Sequence, residues 1–208
     1  MKQNNIDFPT ILAIDSTSGA CSVSVWKNNK ISAYCEEITA TLQAKRLIQM
    51  IEETLAESNT QYSDLSSVAC TVGPGSFTGI RIGLASARGI GFAAGIPVLG
   101  FNALEVMALG IIHQKANYPI LARLNAGKGE IIYQYFGADL KETCPPTLIA
   151  KHLAPEWDAG VTATFPRADF LATLAATYPS HAVAPLPFYV RPADAKLPQN
   201  KNTANAAT

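Results

Sequence analysis

The hydrophobic pattern of the first hundred residues predicts a sheet flanked by helices. Residues 11–14 form an apolar run that ends at Asp15, which is typical of a buried strand before a turn. Apolar and polar residues then alternate over positions 21–26, and a polar turn at 27–30 leads into a third strand at 31–36. These three strands predict an antiparallel meander.

Two helices with a strand between them are predicted next. From about Thr41 to Ser58, apolar residues recur at helical spacing, and charged residues occupy the remaining positions. A strand at 67–72 then leads into a glycine-rich turn. Ser76 has the residue type of a helix cap, and the second helix is expected to end at Gly95.

Small residues recur every four positions from the start of the second helix, at Gly79, Gly83, Ala87, Gly91 and Gly95. This spacing places them in one ridge on the helix surface. A glycine inside a helix costs about 1 kcal/mol relative to alanine, so close approach of another backbone is needed to offset the loss. We interpret the ridge as a contact surface for another protein, with packing inside its own domain as the alternative.

The second half of the chain is predicted to form a smaller lobe. After a short strand at 98–99, a helix is predicted from Asn102 to about His113. Two strands at 119–124 and 130–136 follow, with a turn between them at 127–129. The last predicted elements are a helix at 168–178 and a short strand at 188–190. The polar residues after Lys196 predict a disordered tail. The predicted domains are a first lobe over 1–100, a second over 101–195 and a tail over 196–208.

The charge balance limits the partners that this chain is expected to bind directly. Its 208 residues are 48% hydrophobic, and 16 basic residues equal 16 acidic residues. Without a basic excess, the chain alone is expected to bind RNA poorly. The four cysteines are widely separated, and no stretch is typical of a signal peptide or a membrane span. We therefore expect a cytoplasmic protein with reduced thiols and no membrane association.

The glycine-rich turn lacks the residues of known catalytic and phosphate-binding motifs. It contains no lysine of a Walker loop, and Thr78 replaces the third glycine of a dinucleotide fingerprint. A nucleophile elbow around Ser76 would need glycines where Pro74 and Thr78 stand, so Ser76 is interpreted as a cap. The three histidines lack metal-ligand spacing. No catalytic residue and no bound metal are therefore predicted.

Two residues allow alternative interpretations. Asp15, at a strand end before a Ser/Thr/Gly turn, could orient Mg²⁺ and nucleotide phosphate, or it could simply initiate the turn. Arg81 lies one turn into the second helix. It could pair with a carboxylate of a partner, or its aliphatic stem could cover its own helix face.

Two segments resemble a known family. Residues 11–17, Ile-Leu-Ala-Ile-Asp-Ser-Thr, and residues 73–83, Gly-Pro-Gly-Ser-Phe-Thr-Gly-Ile-Arg-Ile-Gly, closely resemble the bacterial TsaB (YeaZ) family. The resemblance extends from about Ile11 to Ala108, with an echo at 187–191 and 194–196. It implies an α/β, actin-like, Hsp70-type ATPase fold of two ribonuclease-H-like lobes. The first lobe would have three antiparallel strands followed by helix, strand and helix.

The resemblance also implies a non-catalytic role. Proteins of this family pair with a homologous catalytic subunit, TsaD, and with the ATPase TsaE. The complex uses ATP and transfers threonylcarbamoyl to the adenosine beside the anticodon of tRNAs that read codons beginning with A. A chain of this kind would bind no cofactor alone, would reach tRNA only through the complex, and could form a homodimer when alone.

In that family the first two helices contact TsaD, and they correspond here to about 41–58 and 76–95. The interface residues that the resemblance implies are Arg46, Gln49, Met50, Ser76, Thr78, Gly79, Arg81, Ile82, Gly83 and Ala87. Two family motifs are altered. A His-Ser or His-Thr pair appears as Gln43-Ala44, and a D-x-R-x-G-E motif appears at 125–130 without its Asp and Arg. No second-lobe site residue is therefore transferred.

Three hypotheses about the function follow from the sequence. The leading hypothesis is a non-catalytic subunit that stabilises an RNA-modifying enzyme through a helical interface. The second is a stand-alone actin-like ATPase or phosphotransferase that uses Asp15 and the turn at 73–79. The third is a peptidase, for which the sequence offers neither a metal-ligand pair nor an assembled nucleophile.

Overall fold

A five-stranded mixed sheet forms the centre of the molecule. The computed structural model describes residues 9–38, 43–113, 118–156 and 165–190. The strands are β1 (Ile11–Asp15), β2 (Ala20–Lys27), β3 (Lys30–Ile38), β4 (Ser67–Gly73) and β5 (Val98–Asn102), in the spatial order β3-β2-β1-β4-β5. The first three strands are antiparallel, and β4 and β5 run parallel to β1. The predicted meander is confirmed.

Two helices cover one face of this sheet. They are α1 (Gln43–Glu57) and α2 (Phe77–Ala94), and they contact each other. Alternate strand residues such as Leu12 and Val23 form one apolar core with Leu47 of α1 and Ile80 of α2. This packing follows from the two periodicities, because a strand presents every second residue and a helix every third or fourth residue to the same layer.

The ends of the helices follow the sequence signals. The Ser76 hydroxyl accepts a hydrogen bond from the Gly79 N–H, so Ser76 is the cap of α2, and Gly95 ends that helix in the left-handed conformation. The helix α3 (Ala103–Ile112) is capped by the Asn102 side chain, which accepts from the Leu104 N–H. The predicted caps of both helices are confirmed.

A second, three-stranded antiparallel sheet follows. It contains β6 (Ile120–Gly127), β7 (Glu130–Phe136) and β8 (Thr147–Ala150), of which β8 was not predicted. The hairpin between β6 and β7 turns at Lys128, where the sequence placed it. α3 and α4 (Ala168–Thr177) share one continuous core with this sheet and with the other face of the first sheet.

The later part of the chain differs from its sequence prediction in two ways. α4 packs against β1, β2 and β3, although its residues were assigned to the second lobe. The predicted strand at 188–190 is wrong, since this segment makes a single backbone bond, from the Phe188 N–H to the Val72 carbonyl. Pro185 and Pro187 offer no N–H for a ladder at the positions before it. The predicted tail and the start of the first helix at Thr41 lie outside the described residues.

Candidate protein interface

Asp15 is fully buried at the carboxyl end of β1. Its Oδ1 accepts hydrogen bonds from the hydroxyls of Thr71 at 2.5 Å and Thr17 at 2.7 Å. Its Oδ2 is buried without a hydrogen-bond partner among the described residues. Loss of solvation raises the pKa of this carboxyl to about 6, and the hydroxyl bonds only partly oppose the shift.

The turn after Asp15 is closed by the glycine-rich turn. The Ser76 N–H donates to the Thr17 carbonyl at 2.6 Å, and a Cβ on Gly75 would lie 2.1 Å from that same oxygen. Only glycine permits this approach of the two backbones. The Asp15 carboxyl does not fit a nucleotide phosphate or its Mg²⁺, because it is enclosed together with Ser16 and Thr17, and only the end of the turn at Gly19 is exposed. The arrangement therefore favours the turn-initiating interpretation of Asp15.

Asparagine at position 15 is expected to change how stability depends on pH. The pKa of Asp15 is higher in the folded chain than in the unfolded one, so wild-type stability falls as pH rises from about 4 to about 6. Asp15→Asn keeps an oxygen for the two threonines and does not titrate. Thermal unfolding should show the variant gaining about 3 kcal/mol relative to wild type between about pH 4 and 7. Asp139→Asn, at an exposed carboxyl, should show no such gain, and parallel wild-type and Asp15→Asn profiles would contradict the burial argument.

The glycine ridge of α2 faces inward, which corrects the prediction that it is a surface for another protein. Gly79, Gly83, Ala87 and Gly91 are all buried. A Cβ on Gly83 would lie 2.7 Å from the Ser16 Oγ, and the Ser16 hydroxyl itself donates to the Gly79 carbonyl at 2.8 Å. The close backbone approach that the glycines permit is therefore made within this chain, between α2 and the end of β1.

The opposite side of α2 faces solvent. It carries Arg81, Ala85, Arg88 and Phe92, spaced four, three and four residues apart, and all four are exposed. Phe92 is 92% exposed, an unusual state for a phenylalanine. On the neighbouring α1, Ile48 is 51% exposed. We call the outer surface of these two adjacent helices the α1/α2 face. Its exposed charges are arginines on α2, whereas α1 contributes Lys45 and the exposed glutamates Glu52, Glu53 and Glu57.

The structure divides the predicted interface residues into three groups. Gln49, Ser76, Thr78 and Arg81 are exposed, Arg46 and Ile82 are half-buried, and Met50, Gly79, Gly83 and Ala87 are buried. The buried four cannot present side chains to a partner, because they pack against this chain's own sheet. Arg46 is held in place by ion pairs to Glu37 and Glu53. Phe92 and Ile48 were missed, although their outward position follows from the helical period opposite the glycines.

Arg81 contacts residues of its own chain and remains exposed. Its guanidinium carbon lies 3.9 Å from the centre of the Phe77 ring, and its Nε donates to the Tyr189 hydroxyl at 3.1 Å. The rings of Phe77 and Tyr189 stack with centres 5.0 Å apart. The sequence suggested either a partner or the helix face for Arg81, and gave no sign of this third arrangement.

A cleft between the start of α3 and the end of β7 was also missed. His181 Nδ1 lies 2.5 Å from Glu105 Oε1, in a cavity of about 470 Å³ that is also lined by Asn102, Phe136 and Glu142. Burial raises the pKa of Glu105, opposed by the bond to His181. The residues that line the cavity include Lys141 and no serine, threonine or cysteine.

Metal clusters and membrane-spanning helices are both absent from the described ranges 9–38, 43–113, 118–156 and 165–190. Within them, no group of three or more His, Cys, Asp or Glu side chains could hold a metal ion. No helix there is both long enough and apolar enough to cross a bilayer.

The architecture is the actin-like α/β fold. The structure superposes on YeaZ from Pseudomonas aeruginosa with a TM-score of 0.76 and 24% sequence identity, over 88% of this chain and 100% of that one. This similarity confirms the predicted actin-like α/β fold.

The sequence comparisons identify the family. The family model described as "TsaD: tRNA N6-adenosine threonylcarbamoyltransferase" matches residues 36–152, more than half of the chain. The tRNA threonylcarbamoyladenosine biosynthesis protein TsaB of Escherichia coli (strain K12) is 34% identical over 129 residues, which are 62% of this chain and 55% of that protein. The corresponding protein of Haemophilus influenzae is 33% identical over 135 residues, 64% of this chain and 55% of the relative.

The chain therefore belongs to the family of that model and, within it, to the TsaB (YeaZ) proteins, as its two motifs predicted. It matches about half the length of these curated relatives.

Proposed function

We propose that this chain is a non-catalytic subunit of the machinery that forms threonylcarbamoyladenosine in tRNA. In this proposal it binds a TsaD-type threonylcarbamoyltransferase through the α1/α2 face. The observation that supports the proposal best is the exposure of Phe92 and Ile48 on two adjacent helices of a chain whose relatives carry the name of that pathway. A contiguous exposed apolar patch rimmed by polar residues marks a protein interface.

The chemistry of the described residues supports a binding role over a catalytic one. Asp15 is enclosed, no serine, threonine or cysteine lines the cavity of the Glu105 and His181 pair, and the chain as a whole has no excess of basic residues to bind phosphate. We accordingly propose that tRNA, ATP and a TsaE-type ATPase are engaged by the assembled complex, in the cytoplasm. The substrates would be tRNAs that read codons beginning with A.

Depletion of the protein from its native cell should remove threonylcarbamoyladenosine from these tRNAs. The expected effect is indirect, because the transferase would lose a subunit that it needs for activity. Nucleoside analysis of total tRNA by mass spectrometry measures the modification directly. Re-expression of wild type should restore it, and unchanged modification after full depletion would refute the proposed function.

A further inference from the structure

The segment 183–190 lies against the start of α2, far from it in sequence. Val183 forms a bridge with Gly100, and the Phe188 N–H donates to the Val72 carbonyl at 2.8 Å. Gly73 has a φ of +115°, and a Cβ there would lie 2.3 Å from the Phe188 carbonyl oxygen. A glycine at this position therefore lets the segment pack directly on the end of β4.

This packing brings Tyr189 to the α1/α2 face. Tyr189 stacks on Phe77 and accepts the Nε–H of Arg81, while Arg81 also lies over the Phe77 ring. One side of the guanidinium is thus fixed by two aromatic rings. Its two terminal nitrogens make no hydrogen bond to any described residue. Terminal nitrogens held in this way are suited to bidentate binding of a carboxylate.

The charges of the two helices indicate which occupant this surface fits. α2 contains two arginines, Arg81 and Arg88, and no acidic residue. Of the three glutamates on α1, Glu53 is bound by Arg46 and Glu52 accepts the Tyr62 hydroxyl, so these two carboxylates are engaged within the chain, while Glu57 is exposed in the last turn of the helix. A second copy of this chain would accordingly offer α2 few free carboxylates. A different protein with an acidic group at its interface is the complementary occupant.

We propose that Tyr189 is a positioning residue of the partner interface, holding Arg81 ready for a carboxylate of the transferase. This inference rests on the proposed function and adds to it a contact from outside the two helices. The group on the partner at that point is a carboxylate that accepts two parallel N–H hydrogen bonds from Arg81.

The test is the affinity of purified variants for the transferase from the same cell, measured by calorimetric titration at two salt concentrations. Tyr189→Phe keeps the ring and removes the hydroxyl, and should weaken binding about fivefold. Arg81→Lys loses the planar fork and should weaken binding about tenfold. The affinity of the double variant should fall about tenfold, because Tyr189 acts through Arg81. Independent effects of the two substitutions would instead multiply to about fiftyfold. Both single variants should show a smaller loss of affinity with added salt than wild type does.

Tyr133→Phe, which removes a hydroxyl from β7 in the second sheet, is the matched control and should bind as wild type. If Tyr189→Phe binds the transferase with the same affinity as wild type, this inference alone is overturned. Absence of any wild-type binding would instead overturn the proposed function on which it rests. If Arg81→Lys dissolves a homodimer and leaves transferase binding intact, the occupant is a second copy, which also overturns the inference.

Discussion

Replacing Gly83 by leucine is expected to destabilise the folded chain by about 3 kcal/mol. Even a Cβ at this position would lie 2.7 Å from the Ser16 Oγ, and a leucine side chain extends well beyond it. The Ser16 hydroxyl is also bonded to the Gly79 carbonyl, so it cannot move without breaking that hydrogen bond. The expected result is separation of α2 from the end of β1, measured as a loss of unfolding free energy in urea.

Gly89→Ala is the matched control for this experiment. Gly89 lies in the same helix, is exposed, and has nothing within 4 Å of its Cβ position. Alanine there should stabilise the chain by up to about 1 kcal/mol, because it is the better helix former. A Gly83→Leu protein with wild-type stability and lost partner binding would show that the ridge faces outward after all.

Replacing Phe92 by aspartate is expected to weaken binding of the transferase at least about thirtyfold. Central apolar residues of interfaces commonly contribute about 2 kcal/mol or more, and a carboxylate in their place must also be desolvated. Folding should be unaffected, because Phe92 is almost fully exposed in the free chain. Leu153→Asp, at another exposed apolar residue outside the α1/α2 face, should bind as wild type.

The first half of the chain could be predicted from sequence because its signals are local. Alternation marked β2, the helical period marked α1, and the capping residues Ser76 and Asn102 stand next to the helices that they start. The segment 188–190 failed as a strand prediction because its apolar residues suit a strand, whereas the prolines beside them remove ladder donors.

The candidate site was predictable only in part. The glycine spacing correctly indicates close backbone approach, but spacing alone does not tell whether the neighbouring backbone belongs to the same chain. The same helical period predicts that Arg81 and Phe92 lie on the side of α2 opposite the glycines. The contact of Arg81 with Tyr189 joins residues 108 positions apart, and no local pattern predicts it. The pairing of Glu105 with His181 joins residues 76 positions apart.

The central claim is that this chain binds a TsaD-type transferase through the α1/α2 face. Calorimetric titration of the purified transferase with wild type, Phe92→Asp and Leu153→Asp tests it most directly. The account predicts saturable binding of wild type and Leu153→Asp, with at least about thirtyfold weaker binding of Phe92→Asp. Equal affinity of all three proteins, or no binding by folded wild type, would contradict it.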